Sequence, residues 1–291
     1  MKNLFENTSS VWVRYSEYDY KPDANGVLYI TPAPGSSPVL YDPLEDYQSM
    51  VVDALNLGRL ASKEETSPIL QEKILDFVQN YGLLGFMTAL PTTADFMEYE
   101  QVYLPKNHYI REEVMQTEDY LSLFFPFERP DLEKHGTESR WTIPDDKPMM
   151  ALAMALADRP MAVNLCCQRQ YSERFDWIVQ ALKDWAFTFL TSFLFYLDRE
   201  RMDDLSKELF IKGMAAFGGS APTYHIELRE RPTIVWEFHS LMRQIQMLYS
   251  FMLTDEASTL TCCANCGKVF VSEEGEKFCC DICKHDVDLH C

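Results

Sequence analysis

Positive charge is scarce in this chain: 26 Lys and Arg stand against 45 Asp and Glu, for a formal net charge of -19. A field of that sign repels phosphate backbones and anionic membrane surfaces. No local stretch reverses it, because Arg199 with Arg201, Arg229 with Arg231, and Lys134 with His135 and Arg140 are each interleaved with Glu or Asp. Long apolar runs are scarce as well. The longest, Trp185 to Leu197, falls short of the roughly 20 residues of a membrane span and follows Lys183 and Asp184, so it reads as a buried helix. The N-terminal MKNLFENTSSVWVRYSEYDY carries no apolar stretch of a secretory signal, and the expected location is cytoplasmic.

Catalytic signatures are equally thin. Gly218-Gly219 lacks the GxGxxG or GxxxxGK context that cradles phosphate, and no internal repeat or low-complexity tract interrupts the chain. His225 and Glu227 share one strand face, and Glu237 and His239 sit where strand gives way to helix; such pairs can exchange protons. Neither pair has a nucleophile or third group beside it, so both read as a solvated polar face and no catalytic residue is assigned. Cys166-Cys167, after the apolar MAVNL, reads as core.

Hydrophobic residues make up 47% of the chain and aromatics 13%, enough for a large core. The expected fold is α+β: a mixed, mainly helical body over residues 1–255 with small β elements, then a C-terminal zinc-ribbon or knuckle module over 261–291. Residues 11 to 41 carry the β-type runs VWVRY, VLYI and PVLY between turn-forming PDANG and PAPGSSP. Helices are expected over Leu44 to Leu60 and Ser67 to Tyr81, the second capped by Ser67, started by Pro68 and stopped by Gly82. A strand follows over residues 95–105, a helix from Glu112 to Phe125, and a charged, proline-rich loop from Phe127 to Lys147. Further helices are expected over Met149 to Ala157, roughly Ala162 to Leu197 with a break, and Asp203 to Phe217. TYHIELRERPTIVWEF reads as a hairpin, and Leu241, Ile245, Leu248 and Met252 trace one apolar helical stripe after it.

The strongest chemical signal lies near the end of the sequence, where Cys263, Cys266, Cys279 and Cys283 stand in CANCGKVF and KFCCDIC. Two close Cys pairs supply four thiolates that can close a tetrahedron around Zn²⁺, with Gly267 giving the first knuckle its backbone freedom and Phe270 and Phe278 flanking it. Such a site is structural, having no open coordination position. Cys262 offers an alternative to Cys263 and Cys280 an alternative within the second pair, while His285, His290 and Cys291, which could extend the set, read as an exposed tail. The odd count of nine Cys, six of them crowded into residues 262 to 283, argues against a disulfide framework.

The hairpin, the amphipathic helix and the terminal CxxCGxxF with a later FCxxxC resemble the C-terminal part of bacterial proteins with a zinc-ribbon-like terminus, related in appearance to the CGNR-type zinc-finger proteins. The resemblance covers about residues 222 to 284, with Cys263, Cys266, Gly267, Phe270, Phe278, Cys279 and Cys283 as its matching positions. In that group a basic second half implies DNA binding. Here FCCDICKHDVD carries neither the name motif nor an Arg, and Thr261 to Cys291 holds three Lys against six acids. The expected function is therefore a zinc-containing binding or regulatory module acting on a protein partner. A nucleic-acid-binding regulator is the second reading, and an enzyme with a pocket hidden in the helical body the third.

Overall fold

The computed structural model describes residues 8–63, 67–89, 100–104, 109–128, 171–215, 222–254, 259–272 and 275–288. The fold is mixed α and β, with small sheets around a helical centre. The loop expected from Phe127 to Lys147 lies outside these residues from 129 onward, as do the Met149 to Ala157 helix, Cys166-Cys167, Gly218-Gly219, Glu273, Glu274, His290 and Cys291.

Five short strands open the chain: β1 (Thr8–Ser10), β2 (Trp12–Tyr15), β3 (Tyr18–Pro22), β4 (Leu28–Pro32) and β5 (Pro38–Tyr41). β2 pairs antiparallel with β5, and β3 with β4 across a turn in which the Asp23 carboxylate accepts the N–H groups of Asn25 and Val27 at 2.8 Å. Three of these strands coincide with the expected β-type runs. β3 was not among them.

Helix α1 (Tyr47–Ala61) follows and occupies the centre. Its buried residues Met50, Val51, Ala54, Leu55, Leu57, Gly58 and Ala61 recur at helical spacing and spread round more than one face, so it meets several neighbours at once. Helix α2 (Pro68–Tyr81) starts as expected: the Ser67 hydroxyl accepts the Leu70 N–H at 3.0 Å, and Pro68 holds the first turn. Gly82 ends it at φ +85°. A Cβ there would lie 2.3 Å from the Val13 carbonyl oxygen, so only glycine fits.

Beyond the short α3 (Phe86–Ala89), β6 (Gln101–Tyr103) pairs with β7 (Val114–Gln116), and α4 (Thr117–Phe124) follows. The helix expected from Glu112 thus begins five residues later, because Val114 to Gln116 are drawn into a cross-strand pairing that local propensity does not report. The two-residue β8 (Glu173–Arg174) pairs with β4 and leads into the long α5 (Phe175–Asp198), which contains the apolar run noted above. No described helix is long and apolar enough to cross a membrane. A 3-10 turn (Arg199–Arg201) and α6 (Asp204–Ala215) complete this arm.

The expected hairpin is β9 (Thr223–Leu228) with β10 (Pro232–Glu237), and β1 adds to β10 in parallel. Helix α7 (Leu241–Thr254) then buries Leu241, Ile245, Leu248 and Met252. Its Tyr249 hydroxyl donates to the Phe189 carbonyl of α5 at 3.0 Å. A final hairpin, β11 (Thr259–Cys262) with β12 (Val269–Ser272), and α8 (Asp281–Asp288) carry the cysteines. Leu260 and Val269 of this hairpin are buried in the same apolar cluster as α1, α2, α5 and α7.

Candidate metal centre

β11 and β12 are joined by the CANCGK turn, which brings the first Cys pair together. The Cys263 N–H donates to the Lys268 carbonyl and the Gly267 N–H to the Cys263 carbonyl, both at 2.9 Å. Gly267 takes φ +69°, the left-handed conformation that lets the turn close beneath two sulfurs. The Ala264 N–H reaches over to the Lys277 carbonyl at 2.9 Å and ties the second knuckle to the first. From there Cys279 precedes α8 and Cys283 lies in its first turn, so one face of the helix is turned toward the knuckle.

The four sulfurs of Cys263, Cys266, Cys279 and Cys283 all lie within 4.8 Å of one another. Cys279 Sγ is 3.7 Å from both Cys266 Sγ and Cys283 Sγ. A tetrahedron with Zn–S bonds of about 2.3 Å has sulfur-to-sulfur edges of about 3.8 Å, so the donor set has the size of a single thiolate-bound ion. Cys263 and Cys283 are buried, Cys279 is half-buried and Cys266 is exposed.

Without a cation, four converging sulfurs resist ionising together. Burial pushes the Cys279 thiol up, helped by sulfur contacts from Cys266 and Cys283, and burial raises Cys283 to about 12. Burial acts upward on Cys263 too, yet the N–H groups of Cys266, Cys279 and Asn265 outweigh it and bring that thiol down to about 6. A divalent ion held there would supply the missing positive charge and displace the remaining protons.

Of the alternatives raised by the sequence, Cys262 is half-buried against the body and its thiol is pushed up by burial. Cys280 is exposed and lies beside the tetrad, and His285 is exposed on α8.

Two residues that sequence reasoning passed over fix this unit to the body. Asn56 of α1 accepts the Val269 N–H at 2.9 Å and donates to the Val269 carbonyl at 2.8 Å, pairing with β12 as a further strand would. One turn along, Arg59 donates from Nη1 to the Cys266 carbonyl at 2.9 Å. The only local hint was an Asn placed between Leu55 and Leu57. These residues also line a cleft of about 430 Å³ with Asp53, Lys73, Asp76 and Lys268.

The polar pairs weighed from sequence take other roles. His225 lies between Glu237 and Glu227, its ring nitrogens 3.2 and 3.3 Å from their carboxylates, and is half-buried. His239 contacts the Thr223 hydroxyl at 3.3 Å. The cleft near Asn56 includes neither histidine. The opposite face of β9, carrying Tyr224, Ile226 and Leu228, is the exposed one among the described residues.

A buried acid also escaped notice. Glu173 accepts the N–H groups of Leu84, Gly85 and Phe86 at 2.7, 2.6 and 2.9 Å, and the Tyr171 hydroxyl at 3.0 Å. Burial raises its carboxyl to about 7 despite these four donors. It acts as a clamp on the bend between α2 and α3. No family model, curated protein or solved structure matches the chain, so the resemblance to zinc-ribbon and CGNR-type proteins rests on the cysteine spacing and on this cluster.

Proposed function

We propose that this chain is a structural-zinc protein whose C-terminal module serves a binding or regulatory role toward a protein partner. The observation that carries the reading is the gathering of four cysteine sulfurs within 4.8 Å of one another. Cys263, Cys266, Cys279 and Cys283 would hold the ion, which would supply cross-linking energy between the β11–β12 hairpin and α8. With all four positions filled by thiolate, no place remains for a substrate or an activated water. A residue span this short has few apolar side chains of its own, and metal binding in comparable peptides is worth about 10–16 kcal/mol.

The surface supports a partner with basic character. Asp281 and Asp286 are exposed on α8 beside Ile282, which is 73% exposed, and Thr261 to Cys291 carries twice as many acids as lysines. Four thiolates around Zn²⁺ add a formal charge of -2, further opposing phosphate. Residues 1–255 would then be the body and 261–291 the recognition module.

The test has three arms. Elemental analysis of the purified chain should give about one zinc per chain. Fluorescence anisotropy with duplex and single-stranded nucleic acid at about 0.15 M salt should show no binding, and a salt-dependent shift would favour a nucleic-acid regulator instead. For a partner recovered from the native cell, Asp281→Lys with Asp286→Lys should weaken association and reduce its salt dependence. Unchanged affinity in that variant would remove the acidic face from the reading.

A further inference from the structure

The tetrad leaves one thiol over. Cys280 lies outside the four-sulfur set, yet its sulfur is 3.9 Å from that of Cys279. It immediately precedes α8: its carbonyl accepts the Lys284 N–H at 3.2 Å, and its sulfur meets both the backbone N–H and the side chain of Cys283. Exposure separates it from the other surplus thiol of the hairpin. Cys262 is half-buried against the body, whereas Cys280 is exposed, and among the described residues it alone combines exposure with a place outside the tetrad.

We propose that Cys280 is an oxidation site for hydroperoxides, that it forms a disulfide with Cys283, and that this bond opens the metal centre. The proposal rests on the zinc reading above for its consequence, though not for the disulfide itself. Backbone geometry selects the partner. Cys279 is close by sulfur, but Cα atoms of adjacent residues are about 3.8 Å apart, below the roughly 4.4–6.8 Å that disulfides span. Cys283 stands three residues on, across the first turn of α8. Helical geometry puts Cα atoms at that spacing about 5 Å apart, inside the window.

The chemistry closes on two sulfurs and one peroxide. The Cys280 sulfur attacks the terminal peroxide oxygen and the O–O bond breaks, giving a sulfenic acid at Cys280 and an alcohol or water. The Cys283 sulfur, leaving the metal, then attacks the sulfenic sulfur. The S–S bond forms, the S–O bond breaks, and the oxygen departs as water after taking a proton. The two electrons lost by the sulfurs are the two that the peroxide accepts. The ion is left with three thiolates, one of them the exposed Cys266, and is released. A dithiol reductant reverses the bond and restores the fourth ligand.

The experiment uses the full chain, with its zinc content measured first. Hydrogen peroxide is added in the presence of a chromogenic zinc chelator, and disulfides are mapped by mass spectrometry of a digest quenched with an alkylating agent. Zinc release should accompany a Cys280–Cys283 linkage. Cys280→Ser, which keeps a helix-capping side chain, should load zinc normally and release it at least roughly tenfold more slowly. Release at an unchanged rate in that variant, or a first disulfide among Cys263, Cys266 and Cys279, overturns the proposal. A chain isolated without metal overturns the zinc reading instead. The disulfide map of that metal-free chain then decides, because failure to form the Cys280–Cys283 bond under peroxide sinks the oxidation site on its own.

Discussion

Replacing Asn56 by Ala should detach the C-terminal hairpin from the body while leaving the metal in place. The side chain makes two bonds to one residue of β12, accepting the Val269 N–H at 2.9 Å and donating to the Val269 carbonyl at 2.8 Å. Val269 is fully buried, so water cannot take over these groups without opening the interface. Leaving a buried donor or acceptor unsatisfied costs about 1–3 kcal/mol each, and both are orphaned at once, which puts the loss at about 2–6 kcal/mol. At about 1.4 kcal/mol per factor of ten, the Val269 amide should exchange with deuterium at least roughly 30-fold faster, and up to roughly 20,000-fold at the upper end of that range. Asn56→Asp is the sharper variant, since it keeps the acceptor, loses the donor to the Val269 carbonyl and sets a charge against it. Hydrogen exchange on peptides spanning residues 259–272, with zinc content measured in parallel, reads the effect. Protection equal to wild type in both variants would show that the apolar contacts of Leu260 and Val269 hold the hairpin and that the Asn56 bonds contribute nothing.

Gly58→Ala should destabilise even though alanine favours helix by about 1 kcal/mol, because a Cβ there would lie 2.2 Å from the Ala186 Cβ and 2.6 Å from the Leu182 carbonyl oxygen, and overpacking costs about 1–3 kcal/mol or more. A melting temperature equal to or above wild type refutes the close α1–α5 approach. Cys266→Ser should abolish zinc retention and hairpin protection but leave most of the far-UV helical signal; loss of that signal would show that the body depends on the metal. Glu173 binds its proton more tightly folded, at about 7 against an ordinary 4.5, so its contribution to stability falls as pH rises from about 4.5 to about 7. Glu173→Gln should flatten that dependence in urea unfolding at pH 5 and pH 8 while costing about 1–3 kcal/mol for the backbone N–H it no longer satisfies; an unchanged pH slope would show that the acid stays ionised throughout.

Where structure is decided by neighbours in sequence, the sequence announced it. Ser67, Pro68 and Gly82 bound α2 because capping, a fixed proline φ and a left-handed glycine all act within one turn. The Cys tetrad was legible for a similar reason: short loops bring each pair together before any distant contact forms. The remainder depended on partners far along the chain. Val114 to Gln116 became strand because β6 lies beside them, and α8 carries too few apolar residues to declare itself, since sulfur contacts at Cys279 and Cys283 hold its first turn. Glu173 stands in the unremarkable polar run QYSERF, and its three backbone donors come from residues 84 to 86. Asn56 and Arg59 likewise wait on a turn more than 200 positions later.

That separation sets a timetable. Val269 follows Asn56 by 213 residues, and at a synthesis rate of about 5–20 residues per second the face of α1 that receives the hairpin stands uncovered for roughly 10–40 seconds after it is made. β1 waits even longer for β10, its parallel partner in the second half of the chain. β1 and the β11–β12 hairpin are thus fitted late, long after α1 has been made. Metal availability at that moment would govern how many newly made molecules close the α1–β12 interface before the uncovered helix meets another nascent chain.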